Sequence, residues 1–410
     1  MMSGKGNKKK YIVAGVLSSA GCLAMMAYPA IALNAAQKGI SLWASSVLPA
    51  LLPFFICANF MTVIGLPSYI GRIFEVPFQK LFGAPGLSAF IFSVSITSGY
   101  PMGAKLIGDF GRSKVISQKD AKRMLTFCST SGPLFMLGAV GAGMLASPAA
   151  GTVIALSHYL GALLNGLLYR FLSVFEPRTV IKHIGKQSVR SNLKSDYFRS
   201  STKIGKTPYK ISLPKGSLLD IFTDSLLSSF RALGIICGYI VLFMLVVEFI
   251  EFSGVLDSLR NEYSKGIIKG CLEMTIGCSS IGESGELSMI YRCIFCTFLI
   301  SFGGLSIYAQ SMSMLAGLKI SSAYYLAVKI THGLLAGLIA WIIAPFILGG
   351  ISVSTIAIEQ QEIIYKLGAF SQLLFSTKMV IMIVFIFMLT ILIDKLIRKI
   401  HESFRNHSGV

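Results

Sequence analysis

The sequence predicts an all-α polytopic membrane protein made of two inverted repeats, each with a re-entrant helical hairpin and a discontinuous helix. Three observations lead there. The 410 residues are 54% hydrophobic and only 13% charged, with a mean hydropathy of +0.70. Soluble proteins carry about 25% charged residues and cannot absorb so many apolar runs in one core. Second, Gly86–Gly111 and Gly266–Ile290 are too apolar for loops and too interrupted for single spanning helices. Third, the basic residues fall between hydrophobic segments, in an order that gives the two halves opposite orientations in the bilayer. The formal charge of +19 therefore orients the chain and does not point to nucleic acid.

Residues 1–35 are read as an N-terminal transmembrane helix. Lys5 and Lys8–Lys10 precede the apolar run Tyr11–Leu33, and Ala30-Ile31-Ala32 resembles a cleavage site. That order also fits a signal peptide. The run is long enough to span, which favours a retained helix with a cytoplasmic N-terminus.

Residues 36–175 form the first repeat. Ser41–Gly65 is its first span, and Arg72 and Lys80 lead into the hairpin 86–111. There an apolar arm runs into Ser98-Gly99-Tyr100-Pro101, and a short second arm starts at Met102. A mid-helix proline removes a donor and clashes with the preceding turn, costing about 3 kcal/mol. Orphaned backbone groups in hydrocarbon cost several kcal/mol more, so the break needs protein, water or a ligand to satisfy it. Arg112, Lys114, Lys119, Lys122 and Arg123 follow the second arm. Both flanks are basic, so the stretch enters and leaves from the cytoplasm; a kinked span would put one flank outside. Spans Ala121–Leu145 and Gly151–Leu172 complete the repeat.

Residues 176–217 are a basic cytoplasmic linker. Arg178, Lys182, Lys186, Arg190, Lys194, Arg199, Lys203, Lys206, Lys210 and Lys215 face only Glu176 and Asp196. Such a segment is solvated, with contact to anionic lipid as the second reading.

Residues 218–349 form the second repeat, with spans Arg231–Phe252, Tyr291–Gly317 and Ala323–Leu348. Between the first two lie Glu251, Asp257 and Glu262 and then the hairpin 266–290, its tip at Thr275-Ile276-Gly277. Residues 350–410 comprise an outer loop with Glu359 and Glu362, a last span Lys378–Lys395, and a basic tail with Arg398, Lys399 and Arg405. The C-terminus is thus cytoplasmic as well.

The halves align at a constant offset of 171. Thr126-Phe127 falls on Thr297-Phe298, Gly132 on Gly303, Leu134 on Leu305, Leu163 on Leu334, and Gly166-Leu167 on Gly337-Leu338. Opposite orientations of two such halves give the architecture of inverted-repeat transporters, where substrate binds near the midplane among broken helices.

Four breaks are candidates for that site: Ser98–Pro101, Ser129-Thr130-Ser131-Gly132-Pro133, Thr275–Gly277 and Ser301-Phe302-Gly303-Gly304. Hydroxyls beside glycine can bind a ligand while the backbone approaches closely. Half-helix N-termini carry about +0.5 charge and favour anions. Small residues that simply let helices pack are the alternative for any one break. The candidate substrate-binding residues are Ser98, Gly99, Tyr100, Pro101, Lys105, Thr130, Ser131, Gly132, Pro133, Glu273, Thr275, Gly277, Ser301, Gly303 and Gly304. Lys105 either faces a cavity or snorkels to the cytoplasm. Glu273 could accept a substrate donor, carry a coupling proton, or cap the facing break. His158 and Lys329 are matched at the same offset and are possible lining residues, or share one packing geometry. His332 reads as a structurally satisfied histidine.

No metal or organic cofactor is expected. Most of the eight cysteines lie in apolar runs, and Cys293-x-x-Cys296 has no second pair for zinc. No HExxH or GxSxG motif is present, so an enzyme is not expected. A coupling proton or sodium ion, and a homo-oligomer, remain open.

Trp43 with Leu48–Phe55, Ser98-Gly99-Tyr100-Pro101-x-Gly103-Ala104-Lys105, and Ser131-Gly132-Pro133-Leu134-Phe135 resemble the YlbJ type of sporulation integral membrane protein. This is a stage V sporulation family with a nucleoside-recognition or gate domain. The resemblance runs from about Ser41 to Leu348, with Glu273-Met274-Thr275-x-Gly277 carrying it in the second half. It implies a fold similar to concentrative nucleoside transporters and a place in the outer forespore membrane. It also implies dipicolinic acid, a small aromatic dianion, as substrate. The alternatives are a transporter of nucleosides or another small metabolite, or a sporulation assembly or signalling protein.

Overall fold

Every regular element among the described residues is a helix, the form that satisfies backbone groups within a segment where water is absent. The computed structural model describes residues 4–172 and 217–349. The linker, the outer loop, the span Lys378–Lys395 and the basic tail lie outside these. The chain divides into Met1–Pro345 and Phe346–Val410, and of the second unit only the end of one helix is described.

The N-terminal part comprises α1 (Gly4–Ala27), α2 (Pro29–Leu42), a single π-helical turn (Trp43–Val47), α3 (Leu48–Val63) and α4 (Leu66–Phe82). The first hairpin is α5 (Leu87–Ser98) and α6 (Met102–Arg112). It is followed by α7 (Gln118–Leu125), a π-helix (Leu134–Met144) and α8 (Pro148–Leu172). The second half runs α9 (Leu218–Phe252), α10 (Glu262–Leu272), α11 (Met274–Glu283), α12 (Met289–Phe302), α13 (Gly304–Met314) and α14 (Ser322–Gly349). α8, α9, the pair α12–α13 and α14 are each long and apolar enough to cross a membrane. They leave large apolar side chains exposed, among them Leu242 on α9 and Leu338, Trp341 and Phe346 on α14. The chain is a multi-pass membrane protein.

Four expectations need correction. The run Tyr11–Leu33 is not one continuous helix: α1 stops at Ala27 and α2 leaves it at 106°. Pro29 is tolerated at a helix start but cannot continue the preceding helix, so hydropathy alone overran the break. Leu66–Phe82, between the expected span Ser41–Gly65 and the hairpin, forms α4, bent 81° from α3. Pro67, Gly71, Phe78 and Phe82 make one buried stripe there, at a helical period that the intervening charges obscure. α9 starts at Leu218, well before Arg231, because Ser217 and Asp220 form a reciprocal capping box. Finally, the second hairpin turns at Glu273, in extended conformation (φ −138°, ψ 115°), while Thr275 and Gly277 lie inside α11.

Two pairs of helix ends stand at the offset of 171. A shift of 171 carries the start of α7, Gln118, onto the start of α12, Met289, and the end of α6, Arg112, onto the end of α11, Glu283. Contacts between the halves are exchanged. A Cβ at Gly108 of α6 would lie 2.2 Å from the Met314 carbonyl that ends α13. One at Gly282 of α11 would lie 2.5 Å from the Met144 carbonyl that ends the π-helix. Paired contacts of this kind are what two similar halves related by a two-fold would make. Arg112 fastens the first of them by donating to the Met314 and Ala316 carbonyls at 2.8 and 2.9 Å. Below the first hairpin Phe82 stacks on Phe127 at 4.4 Å, with Phe78 and Phe92 around it.

Candidate functional site

The hairpins are seated on the broken helices by backbone contact. Gly99 has φ +80°, and a Cβ there would lie 2.6 Å from the Gly132 nitrogen. Only glycine holds that conformation without strain, and only glycine lets the two backbones meet so closely. Ser95 Oγ joins them by accepting from the Thr130 N–H at 3.1 Å and the Thr130 hydroxyl at 3.0 Å. In the second half Gly304, at φ +66°, would place a Cβ 2.9 Å from the Gly270 carbonyl and 3.2 Å from that of Leu272.

The two assemblies then meet each other. Tyr100, at the first tip, packs with Met274 of the second hairpin and Ile307 of α13, and Phe135 of the π-helix lies against them. Its hydroxyl points at the Ile300 and Ser301 carbonyls, 3.2 and 3.4 Å away, at the end of α12. All four interruptions are thus gathered around one tyrosine.

A buried polar cluster fills the crossing. His158, on α8, accepts the Ser131 N–H at Nε2 (2.8 Å) and places Nδ1 2.8 Å from Ser301 Oγ. Because Nε2 accepts, the ring is neutral with its proton on Nδ1. It bridges the broken helix of one half to that of the other. Its counterpart Lys329, on α14, donates to Tyr100 Oη at 2.6 Å and to the Ser129 carbonyl at 3.2 Å. The ammonium lies 4.4 Å from the centre of the Tyr100 ring, a cation–π distance. His332 Nε2 lies 3.0 Å from the His158 carbonyl, which can only accept, so its Nδ1 is the bare nitrogen, 3.5 Å from Lys329 Nζ. Tyr325 pairs with Ser129 Oγ at 2.9 Å, and Tyr159 donates to the Ser131 carbonyl at 3.2 Å.

The structure therefore gathers Gly99, Tyr100, Thr130, Ser131, Gly132, Ser301, His158 and Lys329. Pro101 and Pro133 stand just before α6 and the π-helix, and Gly303 ends α12 in the left-handed conformation. Other candidates are spent locally. Ser98 donates back to the Val94 carbonyl at 2.6 Å. Gly277 sits between hairpin arms, where a Cβ would lie 2.1 Å from Gly270 Cα. Glu273 caps its own helix and not the facing break: Oε2 accepts the Thr275 and Ile276 N–H groups at 2.8 and 2.9 Å, and Oε1 the Thr275 hydroxyl at 3.3 Å. Tyr159 and Tyr325 add to the candidates, Ser129 comes from the candidate break 129–133, and His332, expected to be satisfied structurally, joins the cluster. Tyr325, Lys329 and His332 are spaced i, i+4, i+7, so one face of α14 carries all three, and that spacing was the readable signal.

Lys105 turns away from this cluster. Its ammonium binds Asn59 Oδ1 of α3 at 2.8 Å and Asp109 Oδ2 at 2.9 Å, and Asn59 continues to Ser229 Oγ of α9 at 2.8 Å. Asp109→Asn would leave a buried cation without its counter-charge. Because Asp109 is itself 42% exposed, the expected loss is reduced to about 1–2 kcal/mol. A lowered melting temperature of the purified protein is the readout, and an unchanged one would refute the pairing.

No family model matches the chain. It is 27% identical over 328 residues to the sporulation integral membrane protein YlbJ of Bacillus subtilis (strain 168), covering 76% of this chain and 77% of that protein. This similarity supports assignment to the YlbJ type. A solved structure of CNTnw in an outward-facing state aligns over 86% of this chain and 88% of that one, at 11% identity and a TM-score of 0.41.

Proposed function

We propose that this chain, of the YlbJ type by its sequence similarity, is a secondary transporter or facilitator of a small organic anion. The observation that carries the reading is the convergence of four interrupted helices, from two matched halves, on a buried cluster centred on Lys329. A packed helical bundle has no need to break four helices at one crossing, whereas a membrane transporter uses such breaks to offer backbone dipoles and a cation to a ligand. The exchanged contacts of α6 with α13 and of α11 with the π-helix support two inverted repeats and an elevator-like or alternating-access mechanism. Cytoplasmic termini and the outer forespore membrane belong to the same reading.

Within this class the family resemblance favours dipicolinate. Its two carboxylates suit the Lys329 ammonium, the Ser131 and Ser301 hydroxyls and the helix ends, and its flat ring suits the aromatic surface of Tyr100. Uptake of labelled dipicolinate into vesicles containing the purified chain is the test. Accumulation that excess unlabelled dipicolinate suppresses and nucleosides do not is the expected result. Nucleoside uptake without dipicolinate flux would overturn the assignment.

A further inference from the structure

We infer that the anion travels with a proton, and that Lys329, with His332 beside it, is where that proton is held. The inference rests on the transport reading above and adds the coupling ion to it. Glu273, the carboxylate that the sequence offered for this role, is unsuited. Its contacts are spent on its own helix: Oε2 accepts the Thr275 and Ile276 N–H groups and Oε1 pairs with the Thr275 hydroxyl, so it offers nothing to the crossing.

Lys329 differs from every other buried cation described. Lys105 has Asp109, but among the described residues no carboxylate comes within ion-pair distance of Lys329. Its partners are a hydroxyl, a carbonyl and the bare Nδ1 of His332. They can accept from the three donors of an ammonium but offer no negative charge to balance it, so Nζ is the free amine until a counter-charge arrives. The titratable groups around it supply no balance. They are Tyr100 from the first hairpin, His158 and Tyr159 from α8, Tyr325 and His332 from α14, and Tyr308 of α13, stacked on Tyr325 at 5.9 Å. The carboxylate on the facing hairpin, Glu273, is committed as a cap.

A carboxylate bound at this crossing would provide the missing counter-charge. Anion and proton then each favour the other's binding, by the same factor. The proton comes from water on the loading side and leaves with the anion on the other. The bare Nδ1 of His332 gives it a second resting place next to Nζ.

The test is proton uptake on binding. Dipicolinate is added to the purified chain in a weakly buffered solution with a pH indicator, while binding is followed by calorimetry. Wild type is expected to take up about one proton per anion bound. Lys329→Met, which has no amine to protonate, is expected to bind dipicolinate about 10- to 100-fold more weakly and with no proton uptake at saturation, and thermal unfolding like that of wild type separates this result from misfolding. In vesicles, an inward proton gradient should drive accumulation and a sodium gradient should not. Binding without proton uptake by wild type, or accumulation driven by sodium alone, would overturn the inference while leaving anion transport standing. No binding at all would remove both.

Discussion

A chain carrying Lys329→Met is expected to fold and insert with stability close to that of the wild type, and to lose dipicolinate uptake. Lys329 is 1% exposed, and its removal strands no buried partner charge. Methionine fills nearly the same volume. The Ser129 carbonyl, Tyr100 Oη and His332 Nδ1 each lose a donor, at about 1 kcal/mol apiece, while no longer burying an ionisable amine without a counter-charge, itself a cost of several kcal/mol, works in the opposite direction. The net change in stability should therefore stay within about 1 kcal/mol. Function has no such compensation. A charge-assisted hydrogen bond to a carboxylate contributes about 1.5–3 kcal/mol, so affinity should fall by about 10- to 100-fold, with uptake following it. Thermal unfolding in detergent and vesicle uptake separate the two effects. Uptake at the wild-type rate would remove Lys329 from the site, and collapse of the fold would make it a structural residue.

The largest effect on folding is expected at the glycines where backbones touch. A Cβ at Gly103 would lie 1.8 Å from the Cys128 carbonyl, and one at Gly277 2.1 Å from Gly270 Cα. Both obstacles are main chain, so no rotamer change relieves them. Gly103→Val should lift the first hairpin off the broken helix, and Gly277→Val should pry apart the arms of the second. Overpacking typically costs about 1–3 kcal/mol, and contact with backbone puts these at or above the upper end. Each variant should yield little monodisperse protein on size-exclusion chromatography after extraction. Gly238→Val, at a position with nothing within 4 Å, is the matched control and should extract normally. Wild-type yield from either hairpin variant would contradict the seating described above.

These two experiments probe features of different legibility. The close approaches at Gly99 and Gly103 follow from a glycine-rich tip, and the sequence announced the break through Pro101. The tip of the second hairpin lies two residues before Thr275–Gly277, the stretch whose glycine suggests a turn. The turn is made by Glu273, whose side chain caps α11, a geometry that composition does not display. Likewise, Pro29 and the Ser217–Asp220 box set helix ends that hydropathy passed over.

The chain's membrane character, its helical breaks and the run of matching residues at an offset of 171 are legible in the sequence alone. Each rests on properties of neighbouring residues or of a register: apolar content, proline geometry and periodic identity. Which buried cation is balanced was decided by tertiary structure. Lys105, beside a tip, was the natural site residue, yet it finds Asp109 on its own helix and Asn59 on α3. Lys329, 229 residues away from Tyr100 in the chain, meets it at 2.6 Å, with no carboxylate in ion-pair distance among the described residues. Such partnerships depend on how helices cross, because a side chain's electrostatic surroundings come mostly from segments remote in sequence.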